Sequence, residues 1–267
     1  MENEPVRLII DDALAIIRLD HNDTRNALSQ SMIQHIGAAL KTCEKRNIRA
    51  VYITGTGPAF CSGADVKALV QQLETGGPDA LSVYIQSLAD SLHNEVIIPI
   101  RMLNKPVIAA VNGVAAGAGF SLALACDLRI ASSNARFLMA YGNIGATADG
   151  GSTYLLPRLL GMGKAIELYT ASQPIGAEYA REMGLVEQVV PSDNFERHSL
   201  EIAHRMAKNP TVAFGKVKQL LNNSWSQDLE SQLKDETTAI GDIAHSTDFQ
   251  EGIKAFSQKR MPWFQGL

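Results

Sequence analysis

The pattern of apolar and polar residues predicts that the chain begins with strands and then changes to a helix. The runs 6–10 and 13–19 have the apolar, β-branched character of strands and are separated by two aspartates, so they predict a hairpin. Ser29 is a suitable N-cap for a helix that continues to about Arg46, because apolar residues then recur with a helical period. The run 49–54 predicts another buried strand. This order is typical of a layered α/β domain.

The most continuous apolar run, 106–111, predicts a strand that is buried on both faces. It ends at Asn112-Gly113, and the turn Gly117-Ala118-Gly119 then leads into a helical pattern. Main-chain N–H groups at the start of a helix lack intrahelical partners, so this turn could hold a carbonyl oxygen that gains negative charge. The glycine spacing fits neither a phosphate-binding loop nor a dinucleotide-binding turn.

A second turn of small residues follows the strand predicted at 49–54. Its sequence is Phe60-Cys61-Ser62-Gly63-Ala64-Asp65, and a helical segment comes directly after it. Two turns of this kind, each placed after an apolar strand, could direct two N–H donors at one oxygen atom. The pattern therefore predicts an oxyanion site that both turns build together.

The carboxyl-terminal part of the chain has a different pattern. Short strands are predicted at 128–131, 135–139 and 186–190, and a glycine-bearing loop lies at 141–152. Beyond about Phe195 only helical periods remain, and they predict helices at 194–208, 211–222, 228–245 and 248–257. We interpret residues 1–194 as a core and residues 195–267 as a helical region whose apolar stripes are buried against neighbouring subunits.

Composition and charge narrow the classes of partner. Apolar residues make up 46% of the chain, charged residues make up 19%, and the formal net charge is −4, values that are ordinary for a globular protein. No basic stripe interleaved with aromatic residues is present, which argues against nucleic acid as a partner. The first residues contain no apolar signal segment and no apolar run could span a bilayer, so we expect a cytoplasmic protein without membrane association. The three cysteines are too scattered for a zinc site.

Motifs spread over nearly the whole chain resemble the crotonase (enoyl-CoA hydratase/isomerase) superfamily. They are Thr24-Arg25-Asn26-Ala27-Leu28, Phe60-Cys61-Ser62-Gly63-Ala64-Asp65, Lys105-Pro106-Val107-Ile108-Ala109-Ala110-Val111-Asn112-Gly113, Gly117-Ala118-Gly119, Asp149-Gly150-Gly151 and the terminal Lys259-Arg260-x-Pro262-x-Phe264. The resemblance implies a spiral of ββα units with a C-terminal helical trimerisation region, assembled as a homotrimer or a dimer of trimers. It also implies an acyl-CoA thioester as substrate, with no metal and no further cofactor.

By this resemblance the oxyanion hole consists of the backbone N–H groups of Ser62 and Ala118, which agrees with the interpretation of the two turns. Arg25 is expected to approach the CoA phosphates, because a net-acidic protein needs local cations for an anionic ligand. The residues expected to line the bound CoA are Ser62, Gly63, Ala64 and Asp65.

Departures from the family pattern decide which reaction is expected. Hydratases of the family use two glutamates, whereas the corresponding positions here are Ser121 and Tyr141. Neither side chain can deprotonate water near neutral pH, so hydration is disfavoured. Asp149 matches the single acid of isomerases in the family, and the sequence around it is similar to the ring-epoxyphenylacetyl-CoA isomerases. We therefore predict an acyl-CoA isomerase in which Asp149 moves a proton through a thioester enolate.

Other functions stay open from the sequence. Asp149 could instead cap the helix after Gly150-Gly151. The same position is the nucleophile in the aryl-CoA dehalogenases of the superfamily. The dehalogenase histidine would fall on Asn94, and His93 is one residue out of register, which is about 100° around a helix. Enoyl-CoA hydratase-like chemistry and non-catalytic binding of acyl-CoA are the further alternatives.

Overall fold

Six strands form the main sheet of the computed structural model, which describes residues 4–267. Numbered along the chain, they are β1 (Val6–Asp11), β2 (Leu14–Leu19), β3 (Ala50–Gly55), β5 (Val107–Val111), β7 (Leu128–Ser132) and β10 (Gln188–Val190). β1 and β2 pair antiparallel, which confirms the predicted hairpin, and β2, β3, β5, β7 and β10 follow as parallel neighbours in that order.

A second sheet contains four short strands. They are β4 (Ala59–Cys61), β6 (Val114–Ala116), β8 (Arg136–Leu138) and β9 (Ile175–Gly176), and they are adjacent in that order. β4, β6 and β8 are parallel to one another, and β9 is antiparallel to β8. Each of the three parallel strands directly follows a strand of the main sheet, and a helix then leads back. This repeat of strand, strand and helix is the predicted spiral of ββα units, and the α/β class is confirmed.

Helices connect the strands and make up the carboxyl-terminal part of the chain. They are α1 (Gln30–Thr42), α2 (Val66–Leu92), α3 (Ile98–Met102), α4 (Ala118–Ala125), α5 (Ser152–Leu160), α6 (Met162–Ala171), α7 (Ala177–Glu182), α8 (Phe195–Ala207), α9 (Thr211–Asn223), α10 (Leu229–Ile243) and α11 (Thr247–Ser257). α2 is kinked at Gly77, whose backbone is not helical, and Pro78 follows. A π-helical turn, His93–Ile97, joins α2 to α3.

Two predicted elements are shorter in the structure, and hydrogen bonds give the reason in each case. α1 ends at Thr42 rather than near residue 46, because the following N–H groups bond to carbonyl groups only three residues back. The strand predicted from residue 186 begins at Gln188, because the N–H groups of Leu185 and Val186 both bond to the Ala180 carbonyl at the end of α7.

Both faces of the main sheet are buried. Side chains such as Ile17 and Ile53 pack with α1 and α4 on one face, and alternate residues such as Ile16 and Tyr52 pack with α8 on the other. The Tyr52 hydroxyl also lies 2.8 Å from the Ser199 hydroxyl of α8. α8 therefore covers one apolar face of the main sheet. Within residues 4–267 no helix has both the length and the apolar character needed to cross a bilayer.

Candidate active site

Three parallel strands of the second sheet end at the same edge, and each is followed by a turn that carries predicted site residues. β4 ends at Cys61, β6 at Ala116 and β8 at Leu138. The carboxyl ends of neighbouring parallel strands face the same way, so the turns 62–65, 117–118 and 139–144 lie next to one another. Ligands of α/β proteins commonly bind at such an edge.

The first two turns are in direct contact, and Gly63 makes this contact possible. Gly63 has a φ of +94°, and a Cβ atom built on it would lie 2.7 Å from the Ala116 carbonyl oxygen and 3.4 Å from the Ala118 nitrogen. A side chain at this position would therefore clash with β6 and with the start of α4. This close contact between Gly63 and the second turn supports the prediction that the two turns face each other.

Ser62 is a predicted oxyanion donor that does not fit the structure. Its N–H group donates a hydrogen bond to the Arg25 carbonyl oxygen at 3.1 Å, so it is not available to a ligand. The N–H groups of Ala64 and Ala118 donate to no acceptor within residues 4–267. Each of the two facing turns therefore offers a free N–H group, at Ala64 and at Ala118, whereas the N–H group of the predicted donor Ser62 is engaged.

The segment 24–28 supports the first turn from the other side. Asn26 is fully buried. Its side-chain nitrogen donates to the carbonyl oxygen of Thr56 in the β3–β4 connection at 3.1 Å and to those of Ala59 and Phe60 in β4 at 2.9 and 3.3 Å. The Leu28 N–H donates to the Gly63 carbonyl at 2.7 Å. This motif therefore holds the shape of the turn, a role that its sequence did not reveal.

Two of the predicted CoA-lining residues use their side chains within the protein. The Asp65 carboxylate caps α2 by accepting hydrogen bonds from the N–H groups of Lys67 and Ala68, at 3.0 and 3.4 Å. The Ser62 hydroxyl donates to the Thr24 carbonyl at 2.9 Å. What the turn 62–65 presents to a ligand is therefore main chain rather than these two side chains.

Arg25 lies at the outer side of the same turn. Its side chain is exposed and takes part in none of the ion pairs among residues 4–267. A polar groove of about 840 Å³ runs along the preceding residues Asp20–Thr24 and reaches Asp65. Carboxylates of Asp20, Asp23 and Asp65 line this groove, so its electrostatics do not favour a phosphate group, whereas the Arg25 guanidinium does.

Tyr141 in the third turn links an acid, Asp149, to α4 through a chain of hydroxyl groups. The Tyr141 hydroxyl donates to Asp149 Oδ1 at 2.6 Å, and it lies 2.9 Å from the Ser121 hydroxyl in the first turns of α4. α4 begins at Ala118, so the same helix carries a free N–H and the end of this hydroxyl chain. Sequence reasoning named all of these residues but did not predict that they touch.

The alternative that Asp149 caps the following helix is not supported. α5 begins at Ser152, its N-cap is Gly151, and no side chain bonds the N-cap position. Gly150 has a φ of +60°, and a Cβ atom built on it would lie 2.6 Å from the Ser121 Cβ. The close packing of Gly150 against α4 turns the Asp149 carboxylate toward Tyr141 instead of toward α5.

His93 reaches the site, contrary to the expectation from helical register. Its Nε2 atom accepts a hydrogen bond from the Gly150 N–H at 3.1 Å. Asn94, the position expected to correspond, donates back to Asp90 on its own helix. His93 begins the π-helical turn, in which the wider winding changes the direction of successive side chains. The contact depends on how this turn packs against a segment 57 residues away, which helical register alone does not include.

Burial sets the protonation state of two groups in the site. Removal of the ring from water and the neighbouring Asp149 carboxylate raise the pKa of Tyr141 well above its ordinary value, so the phenol is a neutral donor. Burial also raises the pKa of the Cys61 thiol, behind the first turn, to about 12. Cys61 is therefore a packing residue and not a nucleophile. Within residues 4–267 no group of three His, Cys, Asp or Glu side chains is placed to hold a metal ion.

Comparisons with known proteins agree with this arrangement. The sequence model of the family described as Enoyl-CoA hydratase/isomerase matches residues 10–266. A probable enoyl-CoA hydratase of Rhodobacter capsulatus is 38% identical over 266 residues, which is 100% of both chains. The 1,2-epoxyphenylacetyl-CoA isomerase of Escherichia coli is 33% identical over 258 residues, which is 96% of this chain and 97% of that protein.

A solved structure extends the similarity to the fold. The crystal structure of an enoyl-CoA hydratase from Bacillus anthracis superposes with a TM-score of 0.89 at 32% identity, and the match covers 98% of this chain and 100% of that one. Sequence and fold agree over almost the full length, so the resemblance stated from the motifs is confirmed. The chain belongs to the enoyl-CoA hydratase/isomerase family.

Proposed function

We propose that this chain is an acyl-CoA isomerase that shifts a double bond by moving one proton. The observation that carries the proposal is the composition of the acid side of the site. One carboxylate, that of Asp149, accepts a hydrogen bond from the Tyr141 hydroxyl, which in turn contacts the Ser121 hydroxyl on the helix that begins with the free N–H of Ala118. A 1,3 proton shift needs one acid/base group and one oxyanion site, and this is the set of groups present.

The proposed reaction proceeds through an enolate. Asp149 takes a proton from a carbon of the substrate, and the electron pair of that C–H bond moves into conjugation with the thioester carbonyl. The carbonyl oxygen becomes an enolate oxygen and accepts hydrogen bonds from Ala64 and Ala118. Asp149 then returns the proton to the carbon two positions away. Substrate and product have the same composition, so the reaction consumes neither water nor an oxidant.

Addition of water is the main rival, because the Rhodobacter relative is named a hydratase. By the family resemblance, hydratases place glutamates at the positions of Ser121 and Tyr141. A serine hydroxyl and a phenol of raised pKa do not accept a proton from water at neutral pH. The Escherichia coli relative named as an isomerase supports the proposed reaction class.

The test is turnover of a 3-enoyl-CoA, followed by the ultraviolet absorbance of the conjugated product. We expect Asp149→Asn to lower kcat/KM about 1000-fold, in the range that general acid–base catalysis contributes. Asparagine has the size of aspartate and can still accept a hydrogen bond from Tyr141, so the melting temperature should stay close to that of the unmodified chain. Undiminished turnover in this variant would remove Asp149 from the proposed role.

Solvent isotope incorporation separates the shift from water addition. A single carboxylate carries part of the abstracted proton from carbon to carbon, so the product formed in D2O should contain less than one deuterium per turnover. A product whose mass is increased by one water would contradict the isomerase proposal. Binding of acyl-CoA with neither turnover nor exchange at the substrate carbons would indicate a non-catalytic binding protein.

Nucleophilic displacement is a second candidate, because His93 does lie beside the Asp149-Gly150 segment. In that reaction the Asp149 carboxylate would displace halide from the ring of a haloaryl-CoA, and a base would activate water to hydrolyse the resulting aryl ester and release the hydroxylated product. The Nε2 lone pair of His93 is already engaged by the Gly150 N–H, which weighs against a role as that base. Release of halide from a halobenzoyl-CoA would favour displacement over isomerisation.

The assembly is also part of the proposal, as a homotrimer or a dimer of trimers. Large apolar side chains of the last helices are exposed on the single chain, with Phe256 at 88% and Trp263 at 77%. Clusters of this kind commonly mark contacts between subunits. Sedimentation measurements that give the mass of a single chain at micromolar concentration would contradict this assembly.

A further inference from the structure

The hydroxyl chain at Asp149 has a direction. Tyr141 donates to Asp149 Oδ1 at 2.6 Å, and its oxygen then accepts from the Ser121 hydroxyl at 2.9 Å, whose hydrogen is shared with the Gly117 carbonyl oxygen at 3.3 Å. Ser121 is fully buried and lies one turn from the start of α4. A charge-assisted hydrogen bond from a neutral phenol to a carboxylate is stronger than a bond between neutral groups. The carboxylate is thus tied to a rigid helix by two hydroxyl groups.

This bond occupies one oxygen of the carboxylate. Asp149 Oδ1 accepts from Tyr141, and Oδ2 forms no hydrogen bond with any group of residues 4–267. The Asp149 main chain is fixed independently, because its carbonyl accepts from the Ser152 hydroxyl at 2.8 Å and the next N–H donates to His93. One oxygen is therefore held and the other is free, and the position of the free oxygen is determined by the held one.

We infer that Tyr141 and Ser121 are positioning residues that hold the Asp149 carboxylate in one rotamer, so that a single oxygen exchanges protons with both carbons of the substrate. This inference rests on the proposed function and names the residues that set the geometry of its acid. A carboxylate that visits several rotamers would present its free oxygen to the substrate for only part of the time. Neither Tyr141 nor Ser121 gives up a proton to the substrate in this scheme.

The same arrangement gives a reason for the two departures from the hydratase pattern. Glutamates at positions 121 and 141 would place further negative charges beside Asp149, and like charges in a partly buried site repel. The Tyr141 hydroxyl donates to the carboxylate, and the Ser121 hydroxyl contacts Tyr141, without either group adding charge. Ser121 and Tyr141 therefore form a matched set with Asp149, instead of being remnants of a lost hydratase site.

The kinetic test is a double-mutant cycle on Tyr141 and Asp149 with a matched tyrosine control. We expect Tyr141→Phe to lower kcat about tenfold to hundredfold with little change in KM, because a hydrogen bond to a charged group is lost. In the Asp149→Asn background the same change should cost almost nothing, because the group to be positioned is gone. Ser121→Ala should have a smaller effect in the same direction, since it acts through Tyr141.

Tyr169 is the control. Its hydroxyl donates to the Ser152 hydroxyl at 2.8 Å, which in turn donates to the Asp149 main-chain carbonyl, and the ring is half-buried, so Tyr169→Phe removes a similar bond without touching the carboxylate. We expect that variant to keep its kcat. Equal losses from Tyr141→Phe in the unmodified chain and in the Asp149→Asn background would mean that Tyr141 only supports folding, and would overturn the inference.

A crystal structure of the Tyr141→Phe variant decides the inference without any activity measurement. We expect the Asp149 side chain to adopt a different rotamer or more than one. An unchanged single rotamer would overturn the positioning role, whatever the enzyme does. Absence of isomerase turnover in the unmodified chain would instead overturn the proposed function, and the rotamer comparison would still decide whether Tyr141 positions Asp149.

Discussion

The two facing turns, residues 62–65 and 117–118, offer main-chain groups to a ligand, whereas the acid side of the site consists of side chains. The free N–H groups that we propose as oxyanion donors belong to Ala64 and Ala118, and their own side chains are methyl groups. On the acid side, Asp149 accepts from the Tyr141 hydroxyl, Tyr141 contacts the Ser121 hydroxyl, and the neighbouring Gly150 N–H donates to His93. The two sides lie next to each other and respond to mutation in different ways.

This difference determines which substitutions each side of the site tolerates. A main-chain donor survives many side-chain substitutions, but it is lost when the backbone is displaced. A side-chain acid is lost by one substitution, but its surroundings can be changed step by step. We therefore expect substitutions at the turns to act through sterics and stability together, and substitutions on the acid side to act on kcat with the fold intact.

Outside Asp149, we expect the largest loss of activity from Gly63→Ala in the first turn. The new Cβ atom would lie 2.7 Å from the Ala116 carbonyl oxygen, so the turn must shift and the Ala64 N–H moves with it. Loss of one oxyanion donor lowers kcat/KM about 100-fold. Steady-state kinetics on the 3-enoyl-CoA substrate measures the change.

Gly184→Ala is the matched control for this prediction. Gly184 has a φ of +84°, close to that of Gly63, but a Cβ atom there would meet no atom within 4 Å. Both variants should lose about 1–2 kcal/mol of stability from the left-handed backbone, Gly63→Ala should lose more because its Cβ atom clashes, and only Gly63→Ala should also lose activity. If both variants kept full activity, the Ala64 N–H would have no part in catalysis.

A smaller effect is expected on the acid side, with His93→Ala. The Gly150 N–H then loses its acceptor and the segment that carries Asp149 is less well held, so kcat should fall about tenfold. Asn94→Ala is the control, because Asn94 bonds only to Asp90 on its own helix. If both variants had equal kcat values, the contact between His93 and Gly150 would be irrelevant to the reaction.

The smallest effect that we expect is on the reactivity of the cysteine thiols, which depends on the packing behind the turns. Burial raises the pKa of Cys43, Cys61 and Cys126 to about 12, so at pH 8 the thiols stay protonated and do not react as thiolates. Iodoacetamide should leave the native chain unmodified and modify three cysteines after unfolding in urea, as measured by mass spectrometry. Labelling of Cys61 in the native Gly63→Ala variant would show that the turn has opened, whereas labelling in the unmodified chain would contradict the packing described.

The two sides were also predictable from the sequence to different degrees. The turns are local features, because glycine and small residues after an apolar strand are visible within a few positions. The choice of Ser62 as donor was nevertheless wrong, since the Arg25 carbonyl that occupies its N–H belongs to a distant segment. Asp149 was found as the single acid, but its bond to Tyr141 and the approach of His93 depend on how separate elements pack.

The amino-acid sequence by itself determined the ββα order, the two glycine turns and the presence of one acid where the family's hydratases have two. Tertiary structure alone decided which N–H groups are free, that the hydroxyls of Ser121 and Tyr141 form a chain that ends at Asp149, and that His93, at the start of a π-helical turn, contacts Gly150. The physical reason is the separation along the chain over which each interaction acts. Periodicity and turn chemistry act over a few residues, whereas the hydrogen bond between His93 and Gly150 joins groups 57 residues apart.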